Sequence, residues 1–424
     1  MQVILIAIGS AGDVYPFIGL GRALLQRGHG VTLCSMPVFQ SAIEQQGLDF
    51  VSVCDEQTYQ QAMADPKLWD PKTSFPRLWE AIAQMLEPVY RYVTSRRHED
   101  ILVVGSLWAL GARVAQERHG IAYLSVQVSP STLLSAHLPP VHPSFNVPAS
   151  MPLIMRQLLW RGIEYLSLDR VCAPAIDRLR HQVGLKGTVQ RVFSKWLHSP
   201  DGVLCLFPSW FAEPQADWPQ PLTMSGFPLF DGVGDIALDA ELTTFLQTGT
   251  APVVFTQGST THVDPRFYAI AQRALTQLGL RGVFLTGNRE PLEGLPATIL
   301  QRPFVPMGSL LPQCAALVHP AGIGAMSLAL ACGIPQIAVP VAHDQFDNAA
   351  RLVRLGAGLS LAAPLVEADV LTALKRVIND HGIVAACKQL QSRTAPPTMV
   401  CDVAVDLMER CHGRHQPAAL KKAG

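Results

Sequence analysis

Apolar residues in this chain fall into short, almost unbroken runs separated by longer stretches in which they recur at helical spacing. The runs Val3–Ile8, Val31–Ser35, Ile101–Gly105, Ala122–Gln127 and Val203–Phe207 predict strands, as do Val253–Thr256, Gly282–Thr286, Ala315–His319 and Gln336–Val339. Runs without polar alternation suit strands covered on both faces, as parallel strands are when helices cross over them. The intervening amphipathic stretches supply those helices. The pattern therefore predicts an α/β fold of doubly wound parallel sheets.

The alternation lapses between Phe207 and Leu238, where "FPSWFAEPQADWPQPLTMSGFPLFDGVGD" is rich in Pro, Gly and aromatics and has no helical period. It restarts at "APVVFTQGS". The expected organisation is a first domain over 1–215, a linker over 216–237, a second domain over 238–398, and a terminal helix and tail over 399–424.

With 424 residues, 49% hydrophobic and 16% charged, the chain can bury two cores. A formal net charge of zero gives no reason to expect a nucleic-acid partner. The nine cysteines are scattered singly with no CxxC pair, which fits a reducing compartment and argues against a cysteine-built metal centre. The opening "MQVILIAIGSAGDVYP" has no basic n-region and no small-residue cleavage site, and reads as a first strand. A soluble, cytoplasmic protein is expected.

No Asp, Glu, Lys or Arg occurs between Arg302 and Asp344. Pro320, Pro335 and Pro340, with Gly322, Gly324 and Gly333, break this run, so it does not read as a membrane span. It reads as strand, Gly-containing turn, helix "AMSLALAC" stopped at Gly333, and strand "IPQIAVP". Small residues at the turn leave the amides of Gly322, Ile323, Gly324 and Ala325 accessible at a helix start, which binds phosphate without a formal charge. An ordinary buried βαβ unit would use the same glycines. The following "HDQFDN" puts polar groups at the carboxyl end of a parallel sheet, where ligands of open α/β folds bind. Asp344 and Gln345 suit vicinal hydroxyls, although Asp344 or Asp347 also qualifies as the cap of a helix beginning near Asn348. Near the start, "IGSAGDVYPFIGLGRAL" is not a GxGxxG, and Asp13 reads as a helix N-cap before Pro16 or as a chemical group.

"HPAGIGA", "GIP" and "DQ", in that order, resemble the donor-binding signature of family 1 glycosyltransferases. "RPFVPMGSLLP" resembles the family's block upstream of it, with Phe304 at the base-stacking position and Val305 beside it. "FTQGST" resembles the strand end whose hydroxyls, here Ser259 and Thr260, reach a diphosphate. The family's phosphate-contacting His has Pro320 in its place, with His319 one position earlier, and Leu328 stands where plant members carry a ribose-gripping Glu. The resemblance implies a GT-B fold, two Rossmann-like domains facing each other across a cleft. The first binds the acceptor and the second the nucleotide sugar, and the terminal helix packs back on the first. The donor set is Ser259, Thr260, Phe304, Val305, His319, Gly322, Ile323, Gly324, Ala325, Asp344 and Gln345.

"GSAGDVYP" resembles the loop of bacterial and sterol glycosyltransferases that carries the general base, which makes Asp13 the catalytic residue of an inverting transfer. No cofactor and no metal is implied, since the family stabilises the leaving diphosphate with a helix N-terminus and side chains, and no Asp-x-Asp occurs. Nearly the whole chain resembles the rhamnosyltransferases of bacterial rhamnolipid synthesis. That likeness implies transfer of L-rhamnose from dTDP-L-rhamnose to the hydroxyl of a 3-(3-hydroxyalkanoyloxy)alkanoic acid. Ser10, Trp108, Ser131, His137 and Phe145 are the expected acceptor-binding residues, with "MPLIMRQLLWRGIEYL" as further apolar lining or as core. It also implies loose contact with the inner membrane and an acyltransferase A-chain partner. Glucose from a UDP or dTDP carrier is the alternative donor sugar. A nucleotide-sugar epimerase, a nicotinamide oxidoreductase and a non-catalytic lipid binder are the competing classes.

Overall fold

The computed structural model describes residues 1–70, 73–142, 147–148, 150–232, 237–258, 264–287 and 289–415. The chain divides into two compact units, Met1–Pro228 with Pro396–Gly424, and Leu229–Ala395.

The first unit holds a sheet of Gln2–Ile6 (β1), Gly30–Ser35 (β2), Asp49–Ser52 (β3), Ile101–Gly105 (β4), Tyr123–Gln127 (β5), Val203–Cys205 (β6) and Leu222–Met224 (β7). Its order is β3-β2-β1-β4-β5-β6-β7, and every pairing is parallel. The second unit holds Val253–Thr256 (β8), Gly282–Leu285 (β9), Ile299–Arg302 (β10), Ala316–His319 (β11), Gln336–Ala338 (β12) and Gly358–Ser360 (β13), in the order β10-β9-β8-β11-β12-β13, again all parallel. The nine apolar runs read from the sequence are all strands. The other four, β3, β7, β10 and β13, are the two edges of each sheet. Edge strands are half wet, so they carry no apolar run: β3 exposes Asp49 and Ser52, and no residue of β7 is fully buried. Part of the expected 216–237 linker thus contributes a strand, because an edge needs only one covered side.

The helices used below are Ala11–Gln26 (α1), Ser74–Ser95 (α2), Leu110–His119 (α3), Leu153–Ile163 (α4), Asp169–Gln182 (α5), Ile323–Cys332 (α6), Gln345–Arg354 (α7) and Pro397–His415 (α8). Between α4 and α5 the chain makes a wider π-helical turn, Glu164–Leu168. α8 returns to the first unit and packs on α1 and β4. Its buried face is Val400, Ala404, Val405, Met408 and Cys411, and Gly226 leaves room for Val400. Arg27 of α1 reaches Asp402, Asp406 and Glu409 on its outer side. Those acids are largely exposed, so burial rather than charge fixes the helix.

A close approach between two helices covering the first sheet depends on Gly111 of α3. A Cβ there would lie 2.2 Å from Leu86 O and 2.8 Å from Tyr90 N of α2, both backbone atoms that cannot swing away. Gly111→Ala is expected to cost about 2–3 kcal/mol by overpacking, read from urea unfolding. An unchanged midpoint would show that α2 shifts freely.

Candidate active site

Parallel strands put all their carboxyl ends on one side of a sheet, and most of the expected site residues that the structure describes lie in or just beyond such an end. In the first unit the chain leaving β1 is gripped by both neighbouring strands. Ser35 Oγ donates to Ala7 O at 2.7 Å, and Ile8 N donates to Ser106 Oγ at 3.1 Å. Gly9 follows at φ 144°, and Ser10 becomes the N-cap of α1. Asp13 is therefore the third residue of the helix and not its cap, and Pro16 lies inside it. The Asp13 carboxylate folds back so that Oδ2 accepts from Ser10 N at 2.7 Å and from Ser10 Oγ at 3.1 Å. A Cβ on Gly9 would sit 2.3 Å from that oxygen, so Gly9 is required for the pose as well as for its φ. Asp13 is half-buried. The sequence reading did not single out Gly9 for this close approach or Ser106, since neither need shows in one sequence.

Ser10 thus positions Asp13. Trp108 follows β4, is half-buried, and meets Phe193 edge-to-face at 5.9 Å. Ser131 follows β5 and lies 3.3 Å, Oγ to Oγ, from Ser129. Because β1, β4 and β5 are neighbours, Ser10, Trp108 and Ser131 leave adjacent strand ends. His137 lies further along, with its carbonyl taking Arg156 Nη1 at 3.0 Å. Phe145, like Ser259 and Thr260 of the donor set, lies outside the described residues.

In the second unit β11 runs into a turn held at both sides. His319 is fully buried, and both ring nitrogens are used: Nδ1 accepts from Ala321 N at 3.2 Å and Nε2 meets Gln336 Oε1 at 2.9 Å. The acceptor role at Nδ1 makes the ring a neutral Nε2–H tautomer. His319 therefore shapes the turn, with both ring nitrogens engaged inside the protein. Ala321 adopts φ 68°, a left-handed conformation costly for a residue with a side chain. Its carbonyl accepts from Asn348 Nδ2 at 3.1 Å, and the same amide donates to Asp344 Oδ2 at 2.8 Å. Asn348 is fully buried and ties the glycine turn to the acid. It was not picked out from the sequence, although it stands one helical turn after Asp344 on the same face.

The turn delivers the start of α6. Its N-cap is Gly322, which has open space where a Cβ would be and no side chain with which to cap. Gly322, Gly324 and Ala325 are half-buried, while the side chain of Ile323 is buried. The first-turn amides of Ile323, Gly324 and Ala325 have no intrahelical acceptor, which makes this end a cradle for an anion. Gly258, after β8, packs beside it: its Cβ would stand 3.2 Å from Pro320 Cγ.

The remaining donor positions divide by what is left to bind. Phe304, after β10, is 52% exposed and offers a ring face, while Val305 is core and offers only backbone. Leu328 is also core. α7 begins at Gln345, three residues before the start read from the sequence, and Asp344 occupies its N-cap position without a capping bond. Asp347 is taken by Arg351 at 2.7 Å, both buried. Gln345 Oε1 accepts from Val341 N at 2.8 Å and Ala342 N at 3.0 Å, so its carbonyl shapes the loop. Its amide nitrogen has no hydrogen-bond partner among the described residues and is the group left for a ligand.

Residues 3–138 match the glycosyltransferase family 28 N-terminal domain, and residues 283–409 match the C-terminal domain of erythromycin biosynthesis protein CIII-like proteins. O-mycaminosyltylonolide 6-deoxyallosyltransferase of Streptomyces fradiae is 27% identical over 375 residues, covering 84% of each chain. Among solved structures, the calicheamicin glycosyltransferase CalG4 superposes with a TM-score of 0.73 at 20% identity, over 98% of this chain and 100% of that one. The spinosyn rhamnosyltransferase complexed with thymidine diphosphate gives 0.65 at 20% identity, over 94% and 98%.

Burial pushes the His319 ring down from 6.5 to about 4, and His198 likewise to about 4. The unfolded chain takes these protons first. The stability the neutral rings confer is complete above pH 6.5 and is lost as pH falls toward 4. His319 alone is expected to account for about 3 kcal/mol of that loss. Urea unfolding from pH 7 to 4 should show a shallower pH dependence in His319→Leu than in the wild type. Equal slopes would mean that the ring is protonated in the folded state.

Proposed function

We propose that the chain, as a nucleotide-sugar glycosyltransferase of the GT-B type, moves L-rhamnose from dTDP-L-rhamnose to the hydroxyl of a 3-(3-hydroxyalkanoyloxy)alkanoic acid, giving a mono-rhamnolipid. The observation that carries the transfer reading is the uncapped start of α6 under a turn fixed by His319 and Asn348. Those amides hold the diphosphate, and they gain strength as it departs with increasing charge. Phe304 stacks on the base, worth about 1–3 kcal/mol by analogy with base–aromatic stacking elsewhere.

The rhamnolipid assignment itself rests on the sequence resemblance. A thymidine carrier is supported by the buried Leu328 at the ribose-gripping position, and by the thymidine diphosphate in the spinosyn rhamnosyltransferase. A 6-deoxy sugar is supported by the named activities of that protein and of the 6-deoxyallosyltransferase. The amide nitrogen of Gln345 and the carboxylate of Asp344 serve the sugar hydroxyls. An apolar acceptor fits the aromatic and aliphatic loops after β4 and β5.

Asp13 is the general base. As the acceptor oxygen attacks the anomeric carbon, its proton passes to the carboxylate while the bond from that carbon to the diphosphate oxygen breaks. Direct attack inverts the anomeric centre. Ser10 fixes the carboxylate's direction through two hydrogen bonds.

Incubation with dTDP-L-rhamnose and the dilipidic acid should give a product heavier by one deoxyhexose. A hexose-bearing product from dTDP- or UDP-glucose, with no rhamnose transfer, would reassign the sugar. Turnover of donor without acceptor would point to an epimerase. Asp13→Asn is expected to lower kcat about a thousandfold with dTDP affinity unchanged by calorimetry. Gly9→Ala should follow the same pattern more mildly, and near-normal turnover in Asp13→Asn would remove it as the base.

A further inference from the structure

We propose that the outer face of α4 and the turn after it seat this protein on an anionic lipid bilayer. The inner side of α4 rests on a small cluster of Ala136, Val147 and Trp160, with Leu153 and Ile163 packed against it. Its outer side shows Ile154 (63% exposed), Met155 (53%), Leu158 (59%) and Leu159 (38%), followed by Tyr165 (68%) and Leu166 (67%). Ile154 with Leu158, and Met155 with Leu159, are four apart, so they form a stripe along the helix rather than scattered positions. Six of the thirteen large hydrophobic residues exposed among the described residues lie in this one segment. The stretch read from the sequence as acceptor lining or core is thus core on its inner side only.

Charge selects the occupant. From 150 to 170 the exposed charged side chains are Arg161 and Arg170. The acids there are buried and engaged: Glu164 by Ser194 N at 2.7 Å and Oγ at 2.6 Å, Asp169 by Arg191 N at 2.7 Å and Val192 N at 2.9 Å. Beside the stripe an open cavity is lined by Arg161, Arg191, Gln157 and Trp160. The carboxylates that also line it are Glu164 and Asp217, and Asp217 is held by Ser135 Oγ and Ala136 N, each at 2.7 Å. Two arginines thus border an apolar stripe whose exposed charges are all positive, the composition of a helix that lies in the plane of a negatively charged interface. Tyr165 and the arginine stems suit the boundary, having apolar bodies and polar tips. No helix among the described residues is long and apolar enough to cross a membrane, so the face lies on the bilayer.

This deepens the lipid-acceptor reading. It is tested without donor or acceptor, so bilayer binding and sugar transfer can fail separately. The full chain is sedimented with vesicles of phosphatidylglycerol and phosphatidylethanolamine, and with vesicles of phosphatidylcholine alone. The wild type is expected to bind the anionic vesicles at least about tenfold more tightly. Leu158→Asp combined with Leu166→Asp should lose that binding by at least about tenfold at an unchanged melting temperature. Arg161→Gln with Arg170→Gln should bring the anionic affinity down to that for phosphatidylcholine. Absence of binding to anionic vesicles overturns the proposal, as does binding that the aspartate pair leaves intact. A wild-type dimer that Leu158→Asp converts to monomer, with no vesicle binding by either, would assign the face to a second copy of the chain and overturn it too.

Discussion

Parallel strands cannot be joined by a tight turn, and the site follows from that constraint. Each strand must be followed by a crossover that returns the chain to the starting edge, so every strand of a sheet ends on the same side. The loops and helix starts collected there are the parts least committed to packing, and they bring a surplus of amide donors. In the first unit this side holds Asp13, and in the second it holds the glycine turn and the Asp344–Gln345 pair. The glycine turn makes an anion cradle without a charged residue of its own.

What is bound must still be met by a rigid shape, and both units use hydrogen bonds for this, part-buried at Asp13 and buried at Ala321. Ala321 is held in a strained conformation by a histidine on its N–H and an asparagine on its carbonyl. Asp13 is turned back by the residue that caps its own helix, over a glycine that leaves it room. In each case the residue nearest the chemistry is fixed by one that has none of its own. An unpaired buried polar group would cost about 1–3 kcal/mol, so these supports are hard to rearrange.

The interior of the fold was legible because continuous apolar runs have few other uses in a soluble chain. The sheet edges were not, since β3, β7, β10 and β13 mix exposed and covered positions at lengths too short for a pattern. The site was legible where a residue type is itself the chemistry, as with Asp13, Phe304 and the glycines of the α6 turn. It was misleading where a residue's partners decide its role. His319 looks like a ligand contact in the sequence and is a buried strut in the structure, because the side chain of Gln336, on the neighbouring strand two residues before the register partner Ala338, meets its ring. Gln345 keeps only half of its amide for a ligand because the backbone of Val341 and Ala342, in the loop before it, takes the carbonyl. The first partner comes from the packing of two strands and the second from the fold of a loop, and neither is written in the residue types alone.

The return of α8 to the first unit has a consequence for the order in which the molecule can be assembled. Residues 229–395 are contiguous, so the second unit has all its parts as soon as its last residue is free of the ribosome. The first unit, although begun earlier, lacks the helix that buries Val400, Val405 and Met408 against α1 and β4 until residues 397–415 have been made. Synthesis from the N-terminus normally lets the first domain fold first, and here it leaves that domain with an uncovered apolar seam while its neighbour is completed. The older half of the chain is the last to close.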